Sequence, residues 1–160
     1  MTWLVIIFAV AVVLSPLMWF KQSPRQRRIS HLRSVAATFN LQVALHRRPE
    51  AREGEDALSC VCYKMRCQHK IPFTEWVIHR FSQRGWSSDW EGWQWFKQQA
   101  DDSWSEILGN ALQDMPDGVT AAMMQKSSVG VIWDERGDEE NLEQIGKNLL
   151  RLKHHVENNC

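Results

Sequence analysis

Eighteen consecutive positions, Trp3 to Phe20, carry no charged side chain, and Lys21, Arg25, Arg27 and Arg28 follow at once. A hydrocarbon core of roughly 30 Å takes about 20 apolar residues in a helix, with a lower bound near 17. Residues 1–21 therefore read as a transmembrane signal anchor of minimal length. Only a helix satisfies its own backbone groups in lipid, which overrides the modest helix preference of Val and Ile. Trp3 and Trp19 fall near the two ends, where indole rings prefer the headgroup zone. Lys21, Arg25, Arg27 and Arg28 form a collar suited to anionic headgroups. Nothing basic precedes the span except the amino terminus. The positive-inside rule then predicts a single-pass protein of the bacterial inner membrane, with its N-terminus outside and its C-terminal domain in the cytoplasm. A cleaved signal peptide fits less well, because the segment lacks a basic start and ends in Leu17-Met18-Trp19-Phe20 instead of small residues.

About 130 residues remain beyond this stretch, enough for one domain with its own core. Lys plus Arg equals Asp plus Glu at 19 each, but the charges are segregated. Residues 21–84 hold 13 basic and 5 acidic side chains, and residues 85–160 hold 6 basic and 14 acidic. A chain uniformly of one sign would point to nucleic acid. Opposed halves point to each other, or to lipid on the basic side, and no nucleic-acid partner is expected. The four cysteines, Cys60, Cys62, Cys67 and Cys160, are expected to be thiols in a reducing cytoplasm.

Apolar Ile29, Leu32, Ala36 and Phe39 recur at helical spacing, so residues 22–40 read as a basic juxtamembrane amphipathic helix, ended by Asn40. Residues 41–160 then form the folded domain. Alternation from Leu41 to Arg47 and from Leu58 to Met65 predicts half-buried strands, with a further apolar stretch between Ile71 and Arg80. Short connections suggest an antiparallel meander. Asp101-Asp102-Ser103 opens a helix reaching Met115, and Val129 to Trp133 is a strand. Val119 to Met124 fits a strand or a helix. Asp138 caps a last helix whose stripe is Leu142, Ile145, Leu149, Leu152 and Val156. The expected class is α+β: an N-terminal transmembrane helix, then one small cytosolic domain with a short antiparallel sheet packed against helices.

Two constellations stand out. Cys60, Cys62, Cys67 and His69 are metal-ligand types within ten residues, and zinc would be their ion. Their Cys-x-Cys spacing instead suits one face of a strand, where thiols act as small apolar groups, so no cofactor is expected. Five of the nine tryptophans lie between Gly85 and Trp104. Trp86, Trp90 and Trp93 fit a helix and Trp93 and Trp95 a strand, so the periodicity does not decide. Indoles there fill a core or make a binding surface for a partner, a headgroup zone or a small ligand. No His-Glu-x-x-His, Gly-x-Ser-x-Gly or Walker loop occurs, and no catalytic residue is named. The stripe of the last helix serves packing on the sheet, or a homodimer seam.

The apolar run of residues 3–20 with its Arg-rich collar resembles uncharacterised single-pass inner-membrane proteins of gammaproteobacteria. Over residues 1–35 the layout is also similar to the small accessory subunit of the bacterial preprotein translocase. The folded part lacks that subunit's Gly-Asp-x-Val-x-Thr-x-Gly-Gly strand and turn, and no functional residue carries over. The expected function is a membrane-tethered, non-enzymatic interaction or accessory module with a membrane or cytosolic protein partner. The alternatives are a metal- or thiol-redox protein using the cysteines, and an accessory factor of protein translocation.

Overall fold

The computed structural model describes residues 2–8, 23–52, 54, 59–68 and 75–158. The chain divides into two compact units, Met1–His31 and Leu32–Cys160. In the first, residues 2–8 are helical and exposed (α1). The second helix, α2 (Pro24–Thr38), begins in this unit and continues into the next. Its start is fixed by reciprocal bonds. The Gln26 N–H donates to Ser23 Oγ at 3.2 Å, and the Ser23 N–H donates to Gln26 Oε1 at 3.0 Å. Asn40, in the left-handed region at φ 57°, ends it.

The transmembrane anchor needs correction. Among the described residues no helix is long and apolar enough to cross a membrane. Trp19, Lys21 and the rest of the expected span lie outside the described residues. The transmembrane part of the expected class and the single-pass inner-membrane placement with its outside N-terminus fall with it. Trp3 is exposed on α1, and Arg25, Arg27 and Arg28 are exposed on α2.

The sheet is also larger than expected. Seven antiparallel strands, β1 (Gln42–Arg47), β2 (Ser59–Arg66), β3 (Trp76–His79), β4 (Trp86–Ser87), β5 (Gln94–Trp95), β6 (Val119–Gln125) and β7 (Ser128–Trp133), lie in the order β1-β2-β7-β6-β3-β5-β4. A meander would join β2 to β3. Instead the β6–β7 hairpin, closed at Lys126 with φ 43°, is inserted between them. Register explains why this works. Tyr63 opposes Val131, and Val131 opposes Ala122, so every central strand keeps its apolar set on the same two faces.

One face carries three helices: α2, α3 (Ser105–Gln113) and α4 (Glu139–Asn158). Leu32 and Ala36 of α2, Leu108 and Leu112 of α3, and Leu142, Ile145, Leu149 and Leu152 of α4 meet Tyr63, Trp76, Trp104 and Trp133 in the main core. The start of α4 is capped by Asp138, whose Oδ1 accepts from the Asn141 N–H at 3.1 Å, while Asn141 Oδ1 accepts from the Asp138 N–H. The opposite face is thinner. Cys62, Val77, Ala121, Met123 and Ile132 form a second buried cluster, with Cys60, Phe81 and Phe96 packed at its margin. Arg48 lies over the Phe81 ring at 4.3 Å, and Arg84 donates to the Glu50 carbonyl at 2.8 Å, tying these flanking segments together.

Candidate functional site

Four of the tryptophans in question sit on a hairpin that the periodicity could not resolve. Trp86 opposes Trp95 and Ser87 opposes Gln94 across β4 and β5, and a tight turn joins them. The turn is built around one hydroxyl. Ser88 Oγ accepts from the Trp90 N–H at 3.2 Å and lies 2.9 Å from the Trp93 carbonyl and 3.1 Å from that of Trp90, to either of which it can donate. Gly92 supplies the positive φ, at 79°, that the reversal needs.

This turn sends the indoles to different environments. Trp93 and Trp95 are buried, Trp90 is half-buried, and Trp86 is 42% exposed. Trp95 packs edge-on against Trp76 at 6.3 Å and against Trp90 at 5.8 Å. Trp93 has the Arg80 guanidinium 5.1 Å above its ring. Trp90 reaches α3, where Gly109 leaves room for it. A Cβ at Gly109 would come within 2.6 Å of Trp90 Nε1.

Between the turn and α3 lies an open groove of about 570 Å³. Trp90 and Trp93 line it together with Asp89, Glu91 and Glu106, and Asn110 and Gln113 supply amides. The lining contains no Lys, Arg or His. Among the described residues none of the three carboxylates forms an ion pair. All three are exposed. Indole rings beside unneutralised carboxylates suit a cation, which gains from both. A smaller cavity of about 240 Å³ on the opposite face is lined by His46, Arg47, Arg48, Lys97 and Glu75 among others. Its arginines are already engaged, Arg47 by the Arg52 carbonyl and Arg48 by Glu50.

The cysteine constellation is spread over both faces of the sheet. Cys60 and Cys62 lie on the thin face, whereas Cys67 joins the main core beneath the helices. His69 lies outside the described residues. Among those described, no group of three or more His, Cys, Asp or Glu gathers as ligands would. Burial pushes the Cys60 thiol up to about 11 and the Cys62 thiol up to about 12. Neither is poised as a nucleophile at neutral pH.

Sequence reasoning missed a buried ionic cluster. Arg33 of α2 donates from Nε and Nη2 to the two oxygens of Glu135, at 2.7 and 2.8 Å, and Tyr63 Oη donates to Glu135 Oε1 at 2.8 Å. Glu135 is 5% exposed and holds φ 58°, a left-handed conformation that turns its carboxylate inward. Its hydrogen bond raises the pKa of Arg33, and burial followed by the same carboxylate raises that of Tyr63. Arg33, only five residues past Arg28 of the basic collar, is thus a partly exposed strut that ties α2 to the buried Glu135. Nothing local signals this, because its partner lies 102 residues away. The groove carboxylates were equally hidden, since Asp89 and Glu91 meet Glu106 only in the fold.

No protein-family model matches the sequence. No curated protein matches it either. A solved structure does: the crystal structure of the mycobacterial trehalose monomycolate transport factor A, TtfA, superposes with a TM-score of 0.53 at 6% sequence identity, covering 84% of this chain and 96% of that one. The two chains share a fold.

Proposed function

We propose that the unit from Leu32 onward is a non-enzymatic accessory module that binds a protein partner through the Trp90 groove. The observation that carries this reading is the groove itself, where the half-buried Trp90 indole adjoins three carboxylates without an ion pair among the described residues and no Lys, Arg or His belongs to the lining. A Lys or Arg side chain presented by a partner meets complementary charge and an aromatic face there. The open shape suits an extended surface contact better than enclosure of a small substrate. A solved protein of this fold is named a transport factor, which favours an accessory over a catalytic role.

The test is comparative capture. Wild-type chain and the Glu91→Lys/Glu106→Lys double variant are used as baits, after circular dichroism shows that both are folded. A partner retained by the wild type and lost by the variant supports the groove. An identical set of partners on both baits, or none on either, contradicts the proposal.

A further inference from the structure

The two edges of the sheet are protected very differently. At one end β4 spans only two residues, Trp86–Ser87, too short to template another strand. At the other end β1 runs for six residues, Gln42–Arg47, in unbroken register with β2. Natural edge strands are blunted by proline, lysine, bulges or brevity. β1 has none of these, and among the described residues no strand pairs with its outer side. Leu45, near its middle, is 78% exposed although it shares a face with the half-buried Val43. A solvated leucine on an edge whose outer side pairs with no strand among the described residues is a surface suited to strand addition.

We infer that β1 pairs antiparallel with β1 of a second copy of this chain, joining two seven-stranded sheets into one. The sequence of the strand is self-complementary about Ala44. With Ala44 opposite the partner's Ala44, Val43 faces the partner's Leu45 and Leu45 faces the partner's Val43, on the helix-bearing side. On the other side Gln42 faces the partner's His46, so amide meets imidazole twice. The two Arg47 side chains then stand at opposite ends of the ladder, roughly 20 Å apart, and do not repel across it. An isologous contact of this kind closes on itself and leaves only the short β4 edges outermost.

Sedimentation of the full chain over a range of concentrations tests the inference, with Leu45→Lys and His46→Lys as variants. Leu45 is exposed and His46 lies on the opposite face, so each variant probes the ladder from its own side. Wild type should sediment as a dimer and both variants as monomers with unchanged near-ultraviolet dichroism. As a second readout, β1 amides that face away from β2 should exchange more slowly as wild-type concentration rises, and at a concentration-independent rate in Leu45→Lys. A wild type that stays monomeric overturns the inference, as would a β1 edge protected only by an added foreign peptide. So does a dimer that persists in both variants with unprotected β1 amides.

Discussion

The two faces of the sheet solve the same burial problem with different materials. The helix-bearing face holds Trp76, Trp104 and Trp133, all fully buried, in a chain of edge-on contacts that includes Trp76–Trp104 at 5.2 Å and Tyr63–Trp133 at 5.5 Å. The other face holds Cys62, Ala121 and Gly130, with Val77, Met123 and Ile132. Three helices, two of them strongly amphipathic, make a layer deep enough for indoles. Arg48, Phe81 and Phe96 make only a thin cover, over a layer in which half of these side chains, Cys62, Ala121 and Gly130, are small and none is aromatic. The difference teaches that Cys60 and Cys62 are spacers on the shallow side, while the indoles set the depth of the other.

The largest effect expected from this contrast is on the deep face. Trp104→Ala should cost about 3–5 kcal/mol in urea unfolding, because a ring enclosed by α3, α4 and Trp76 leaves a cavity that cannot collapse. On the shallow face Ile132→Val should cost only about 1 kcal/mol. Equal losses at the two positions would break the comparison.

Next comes the ionic cluster on the helix side. Glu135→Ala strands Arg33 and the Tyr63 hydroxyl, and should cost about 2–3 kcal/mol. That is less than a fully buried pair, since the Arg33 side chain is 43% exposed. Tyr63→Phe, which removes one hydrogen bond and leaves the ion pair, should cost about 1 kcal/mol. The two losses measured together should fall short of their sum.

The shallow face predicts a pH dependence. His79 is fully buried, accepts at Nδ1 from the Phe81 N–H, and donates from Nε2 to the Arg84 carbonyl at 3.0 Å. Burial lowers its pKa below the ordinary value near 6.5, against weaker support for the cation from the Arg84 carbonyl and Glu50. The unfolded chain therefore binds more protons as pH falls through this range. The contribution of His79 is complete above about pH 6.5 and is lost progressively below it. Urea midpoints from pH 8 to pH 5 should fall for the wild type, and fall less for His79→Gln.

Smaller effects concern reactivity and the groove. With its pKa near 11 against the ordinary 9.0, Cys60 should show about 100-fold less thiolate than a free cysteine, and alkylation by iodoacetamide at pH 8 should be correspondingly slow in the native protein. Rapid labelling there would mean that the thin cover opens easily. Gly109→Ala, which in an open helix gains about 1 kcal/mol, should give no gain here because the new Cβ meets the Trp90 indole. A blue or red shift of tryptophan emission would report that displacement.

Local periodicity made individual elements legible. The stripe Leu142, Ile145, Leu149, Leu152 and Val156 is buried along α4, whose bounds are Glu139–Asn158. The strand expected at Val129 to Trp133 lies within β7, and Asn40 stops α2. The Trp86–Trp95 stretch was illegible because both periods fitted. Its path is decided by Ser88 and Gly92, through hydrogen bonds and a positive φ that no hydrophobic pattern encodes. The insertion of β6–β7 between β2 and β3 was equally hidden, since strand order depends on which faces match across the whole sheet. The apolar run at the start misled in a further way. Hydropathy describes what a segment tolerates, and among the described residues no helix is long and apolar enough to cross a membrane.

By itself, then, the sequence determined where the strongly periodic segments coil and extend, α4 and β7 among them, because those choices depend on neighbours within a few residues. Tertiary structure alone decided which of them meet. It took a left-handed Glu135 to capture Arg33, and a glycine on α3 to let Trp90 close one wall of a carboxylate groove. Such pairings join residues far apart in the chain, and their energies exist only once the sheet has brought the partners within a few ångströms.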